Sequence, residues 1–131
     1  MPIYKKSTSR KFSLKNRKNS FVYAFHGLRY TIATQHNMWI HLFAAVLVII
    51  SGFVLKVSLT EWLLLIFAIG LVLSAEIFNS AVELLTDMIS PETNPKAGLV
   101  KDIAAGAVLV SAITAAVIGL CIFAPKIIAV L

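Results

Sequence analysis

The stretch WLLLIFAIGLVLSAEIFNSAVELLTDMI, residues 62–89, decides the fold. Its first half is hydrocarbon, and its second half carries Glu76, Asn79, Ser80, Glu83 and Asp87. No glycine or proline interrupts it between Gly70 and Pro91, so it predicts one continuous helix reaching Ile89. Glu76, Asn79, Glu83 and Asp87 are spaced by three, four and four residues, which puts them on one helical face. A carboxylate at membrane depth costs at least about 2.5 kcal/mol, so a row of them faces a cavity, an ion or a partner and marks function. Ser80 reads instead as a hydrogen bond that packs helices together.

Around this stretch the chain has the composition of a membrane protein. Its 131 residues are 59% hydrophobic and only 14% charged, with a mean hydropathy of +0.87. Such a length accommodates one domain and no separate soluble enzyme unit, so any chemistry uses the spans and their loops. The lone Cys121 excludes an intramolecular disulfide.

Two further spans follow from hydropathy. Residues 38–55 form the first, preceding the span at 62–89, and IAAGAVLVSAITAAVIGLCIFA, residues 103–124, forms the third, with Pro125 expected at its end. The third is rich in small residues that let helices approach closely. KVSLTE, residues 56–61, reads as a tight hairpin in which Thr60 caps the second span beside Glu61. SPETNPKAGLVK, residues 90–101, reads as a loop.

The net charge of +6 is concentrated in Lys5, Lys6, Arg10, Lys11, Lys15, Arg17, Lys18 and Arg29. Ahead of apolar spans this is a cytoplasmic anchor facing anionic lipid rather than a nucleic-acid tail. No cleaved signal peptide is expected, because no apolar core begins until about Ile40. Residues 1–18 are expected to be a disordered basic tail and residues 19–131 a single membrane domain. Phe21, Phe25, Leu28 and Ile32 fall at helical spacing, which predicts an amphipathic helix over residues 19–35, on the membrane surface or packed on the spans. The positive-inside rule then places the N-terminus and residues 90–101 on the cytoplasmic side.

Carboxylates beside Lys101 and Asp102 suit phosphoryl transfer, since Mg²⁺ takes hard oxygen ligands and a cation balances the phosphate. They equally suit an ion-coupled transporter, although three spans without an internal repeat are few for alternating access. A structural or regulatory subunit is the third reading. No GxxxxGK[ST] loop, glycine-rich kinase loop or HRD-type loop is present, which excludes the soluble kinase folds.

The run E-x-x-N-[ST]-x-x-E-x-x-x-D from Glu76 to Asp87, followed by K-D-x-x-[AS]-[AG]-A-V from Lys101, resembles the small integral-membrane diacylglycerol kinase family, which includes undecaprenol kinases. The resemblance extends over residues 21–120 and includes FVYAFHGLRY and NMWIHLFAAVLVI. It implies an ATP- and Mg²⁺-dependent kinase acting on the primary hydroxyl of a membrane lipid. It also implies an all-α fold of three spans and a surface helix, assembled as a homotrimer with shared active sites in the bacterial inner membrane.

Carried over residue by residue, the resemblance makes Glu76 the general base, Asn79 its orienting amide and Asp87 a supporting carboxylate. Glu83 becomes a metal ligand. Lys101, Asp102, Glu92, Thr93, Asn94 and Tyr23 become nucleotide contacts. The main departure is Gln35, where many members carry a metal-binding glutamate; its neutral carbonyl predicts weaker Mg²⁺ affinity rather than lost activity. An arginine expected before the surface helix is replaced by Asn16, with Arg17 adjacent. His26, His36 and His41 match no zinc spacing and read as interfacial packing, and Trp39 and Trp62 as interface anchors. Diacylglycerol and undecaprenol both remain open as acceptors, with NMWIH leaning toward the undecaprenol kinases.

Overall fold

The computed structural model describes residues 14–131, apart from the side chains of residues 15 and 16. Four helices follow in chain order: α1 (Leu14–Thr34), α2 (His36–Val54), α3 (Leu59–Ile89) and α4 (Pro95–Ile128). No strand occurs among the described residues. The last three helices are long and apolar enough to cross a membrane. The chain is an all-α membrane protein.

At about 1.5 Å per residue, α2 just spans a hydrocarbon core of roughly 30 Å, whereas α3 and α4 overshoot it by about half again. The overshoot of α3 is the part that carries the polar face. Packing is concentrated between α3 and α4, with α2 laid against α3. The antiparallel pair α3/α4 is pinned at both ends. Lys126 lies 3.0 Å from Glu61 at one end, and Lys101 pairs with Asp87 at the other.

Each helix boundary has a local cause, and several differ from the sequence reading. The N-cap of α3 is Ser58 rather than Thr60: its hydroxyl accepts from the Glu61 N–H while the Glu61 carboxylate accepts from the Ser58 N–H, a capping box. Helix α4 starts at Pro95, so the connection is only residues 90–94. Asn94 caps it through Oδ1 to the Lys96 N–H at 2.9 Å, and proline at the first helical position has no N–H to lose. Pro125 does not end α4, which continues to Ile128. In a span already shielded from water, the missing hydrogen bond is tolerated for one more turn. Helix α1 begins at Leu14 rather than near residue 19; lysine and arginine are good helix formers, so the basic segment from Leu14 onward is helical. The remainder of the expected tail, residues 1–13, lies outside the described residues.

The small core comprises Val57, Leu65 and Ile122, with Val48, Trp62, Ile118 and Phe123 packed around it. Trp62, half-buried near the start of α3, thus also takes part in the packing between α2 and α3. Its indole lies against Gly52, and its ring centroid is 4.9 Å from that of Phe53. A Cβ at position 52 would sit 2.6 Å from the Trp62 ring. Gly52→Ala is therefore expected to destabilise the protein by about 1–3 kcal/mol, the range for overpacking, read as a lower denaturation midpoint in detergent. A second local strain sits at Lys56, whose φ of 48° places a non-glycine residue in the left-handed region at the α2–α3 turn.

Candidate active site

The polar face of α3 is bracketed by the α1–α2 junction and by α4. Gln35 is the non-helical residue separating α1 from α2, and its side chain does not cap α2. It reaches instead across to α3, where Nε2 donates to Glu83 Oε2 at 3.2 Å. From within α3, Asn79 Nδ2 donates to Glu83 Oε1 at 3.3 Å. One carboxylate is thereby held between two amides, one from its own helix and one from the neighbouring element.

Two turns before Glu83 on α3, Glu76 is 0% exposed. Neither of its carboxylate oxygens has a hydrogen-bond partner, and Asn79 Oδ1 is buried and likewise unpaired. Buried polar atoms are normally satisfied, because an unpaired one retains the full cost of lost hydration. Glu76 and Asn79 line a cavity of about 260 Å³ bounded by α2, α3 and α4, together with Asn37 and His41. His41 Nε2 stands 3.9 Å from Glu76 Oε2, beyond hydrogen-bond reach.

His41 and Asn37 are the residues that the sequence reading left out of the site. The signal was present: a histidine within an otherwise uncharged span is costly enough to suggest function. What hid it was the absence of a recognisable spacing to His26 and His36, both of which are exposed here.

The remaining candidates lie outside this cavity. Asp87 and Lys101 form an exposed ion pair toward the end of α3, a geometry worth at most about 1 kcal/mol of stability. Asp102 is exposed on the first turns of α4, and Glu92 and Thr93 are exposed in the short connection. Asn94 is engaged as the α4 cap. Tyr23 lies on α1 and does not line the Glu76 cavity. Ser80, expected to bridge helices, donates to the Glu76 carbonyl of its own helix at 2.8 Å, the back-bond to residue i−4 that a serine within a helix commonly makes.

As a donor set, the Glu83 carboxylate, the unpaired Asn79 Oδ1 and the Gln35 amide oxygen suit a hard divalent cation that keeps some of its water. Among the described residues no cluster of three His, Cys, Asp or Glu side chains is placed to hold a metal alone. Any ion here therefore completes its shell with water or substrate oxygens.

Comparison with known sequences covers nearly the whole membrane part. The family described as prokaryotic diacylglycerol kinase matches residues 22–123. The chain belongs to this family. Among curated members, it is 42% identical over 107 residues to an undecaprenol kinase of Bacillus subtilis, covering 82% of this chain and 87% of that one. It is 35% identical over 113 residues to a diacylglycerol kinase of Synechocystis sp., covering 86% of this chain and 65% of that longer one. All the residues of the Glu76 cavity and the Gln35–Glu83 contact lie within the segment that the family matches.

Proposed function

We propose that the protein is an ATP-dependent lipid kinase of the bacterial cytoplasmic membrane that transfers the γ-phosphate to the primary hydroxyl of a membrane lipid. Undecaprenol is the favoured acceptor, on the 42% identity to the Bacillus subtilis enzyme across most of both chains. The observation that carries the mechanism is the buried, unpartnered Glu76 carboxylate facing a cavity. It is a base without a proton donor in the resting protein, and an alcohol entering the cavity supplies one.

In this reading Glu76 takes the hydroxyl proton as the lipid oxygen attacks the γ-phosphorus and ADP departs. Asn79 presents its amide oxygen to the cavity while its NH₂ group holds Glu83 in place. Glu83 and Gln35 would hold Mg²⁺, Gln35 after a half-turn of its amide that exchanges nitrogen for oxygen. When bound, the ion neutralises charge on the β- and γ-phosphates. Lys101, with Asp102, receives the nucleotide, and Asp87 keeps the Lys101 ammonium at the site mouth. Residues 92–94 and Tyr23 close over the nucleotide.

The basic N-terminal region and the Asp87–Lys101 end of the bundle support a cytoplasmic orientation of the site. The apolar side chains Phe21 and Phe25 on α1, each 68% exposed, support α1 as a helix resting on the membrane surface. A homotrimer completes a site that one subunit leaves open on one side. The test is purified protein with labelled ATP and a panel of undecaprenol, a shorter polyprenol and diacylglycerol in mixed micelles. Phosphorylated undecaprenol is expected to form fastest. ATP-dependent transfer to no lipid in the panel would overturn the proposal.

A further inference from the structure

We propose that His41 is a second catalytic residue: its imidazole Nε2 hydrogen-bonds the acceptor hydroxyl and fixes it against the Glu76 carboxylate. The inference rests on the lipid-kinase reading above and adds a group to it. With Nε2 and Oε2 separated by 3.9 Å, the two atoms are too far apart to bond each other. An oxygen about 2.8 Å from each would meet both at normal hydrogen-bond distance, and it enters as the side chains that seal the Glu76 oxygens part. A primary hydroxyl matches this gap, because it accepts one hydrogen bond and donates another. Glu76 is fully buried and unpartnered, so the missing member of the network is a donor coming from the cavity.

A second observation concerns how the hydroxyl arrives. An apolar groove of about 570 Å³ runs between α2, α3 and α4, past Ala45, Leu65, Ala68, Ala116, Gly119 and Phe123. Its lining includes one polar residue among the described ones, His41. His41 and Ala112 are also the two residues that line both this groove and the Glu76 cavity. The groove suits the hydrocarbon chain of the lipid alcohol, because its lining is apolar and it shares His41 and Ala112 with the polar cavity where the head group would sit. His41 stands at that junction.

In the transfer step the lipid O–H bond breaks and its proton passes to Glu76. The oxygen's electron pair forms the bond to the γ-phosphorus, and the bond from that phosphorus to the ADP oxygen breaks with its pair leaving on ADP. His41 keeps its proton throughout, and its N–H stabilises the negative charge that grows on the lipid oxygen.

The experiment compares His41→Leu, His41→Gln and His41→Ala with the wild type, in mixed micelles, with oligomer size and helical content checked for each. His41→Leu is expected to lower kcat by about 10²-fold, the scale for removing one positioned donor, with KM for ATP unchanged. His41→Gln keeps an N–H donor and recovers part of the loss, and added imidazole restores activity to His41→Ala. Equal losses in Leu and Gln without imidazole rescue would reduce His41 to a packing residue and overturn the proposal, as would full activity in His41→Leu. Ala116→Phe is expected to raise KM for the lipid while leaving KM for ATP alone. A changed oligomeric state at unchanged lipid KM would assign the groove to a second copy of the chain instead. A wild-type protein that phosphorylates no lipid overturns the kinase reading itself, an outcome distinct from any of the variant results.

Discussion

Glu76→Gln is expected to lower kcat for lipid phosphorylation by about 10²–10⁴-fold, the range for loss of a general base, while the folded helices and the oligomer persist. The amide is nearly isosteric with the carboxylate but takes no proton from an incoming alcohol. Stability is expected to stay equal or rise, because the Glu76 oxygens accept no hydrogen bond that the substitution could break. The replacement also removes an ionisable group from a fully buried position. Lost turnover with retained or raised denaturation midpoint separates a catalytic role from a structural one. Turnover within a few-fold of wild type would remove Glu76 from the chemistry.

The second large effect is expected at Glu83, and it is best read as a charge exchange with Gln35. Glu83→Gln leaves three amides and no carboxylate at the Gln35–Asn79–Glu83 contact, and activity should fall by about 10–100-fold with a higher Mg²⁺ requirement, as for loss of a metal-site group. Gln35→Glu alone places a second carboxylate within the present 3.2 Å contact. Without a cation the two charges repel and lower the denaturation midpoint; with Mg²⁺ they chelate it, and half-saturation should fall by about tenfold, equivalent to about 1.4 kcal/mol. The double exchange Gln35→Glu/Glu83→Gln restores one acid and one amide. Recovery of part of the activity lost in Glu83→Gln would place the ion between the two positions. Additive losses, and a Mg²⁺-independent midpoint for Gln35→Glu, would show that the ion is held elsewhere.

Much of this site was legible in the order of residues. Glu76, Asn79, Glu83 and Asp87 form a single face because helical periodicity is a local property, and the structure duly joins Asn79 to Glu83 one turn away. The departure at Gln35 was equally visible, and the structure adds that this glutamine faces Glu83 directly. The helix ends were less legible. Ser58, rather than Thr60, caps α3, and Pro95 opens α4 inside what looked like loop, because capping depends on which of several adjacent polar residues adopts the extended geometry.

Composition and periodicity were sufficient for three apolar spans and one acidic helical face, since burying hydrocarbon in lipid and repeating every 3.6 residues need no knowledge of neighbours. Which residues of other helices meet that face was decided only by tertiary packing. His41 beside Glu76 and Gln35 against Glu83 each join different elements. Their pairing depends on the axial rotation and depth of each helix. Lipid tails are as apolar as leucine, so a uniformly apolar span carries little sequence signal for either quantity. Close packing of small residues and a few polar contacts set them instead, and these exist only once the helices have come together.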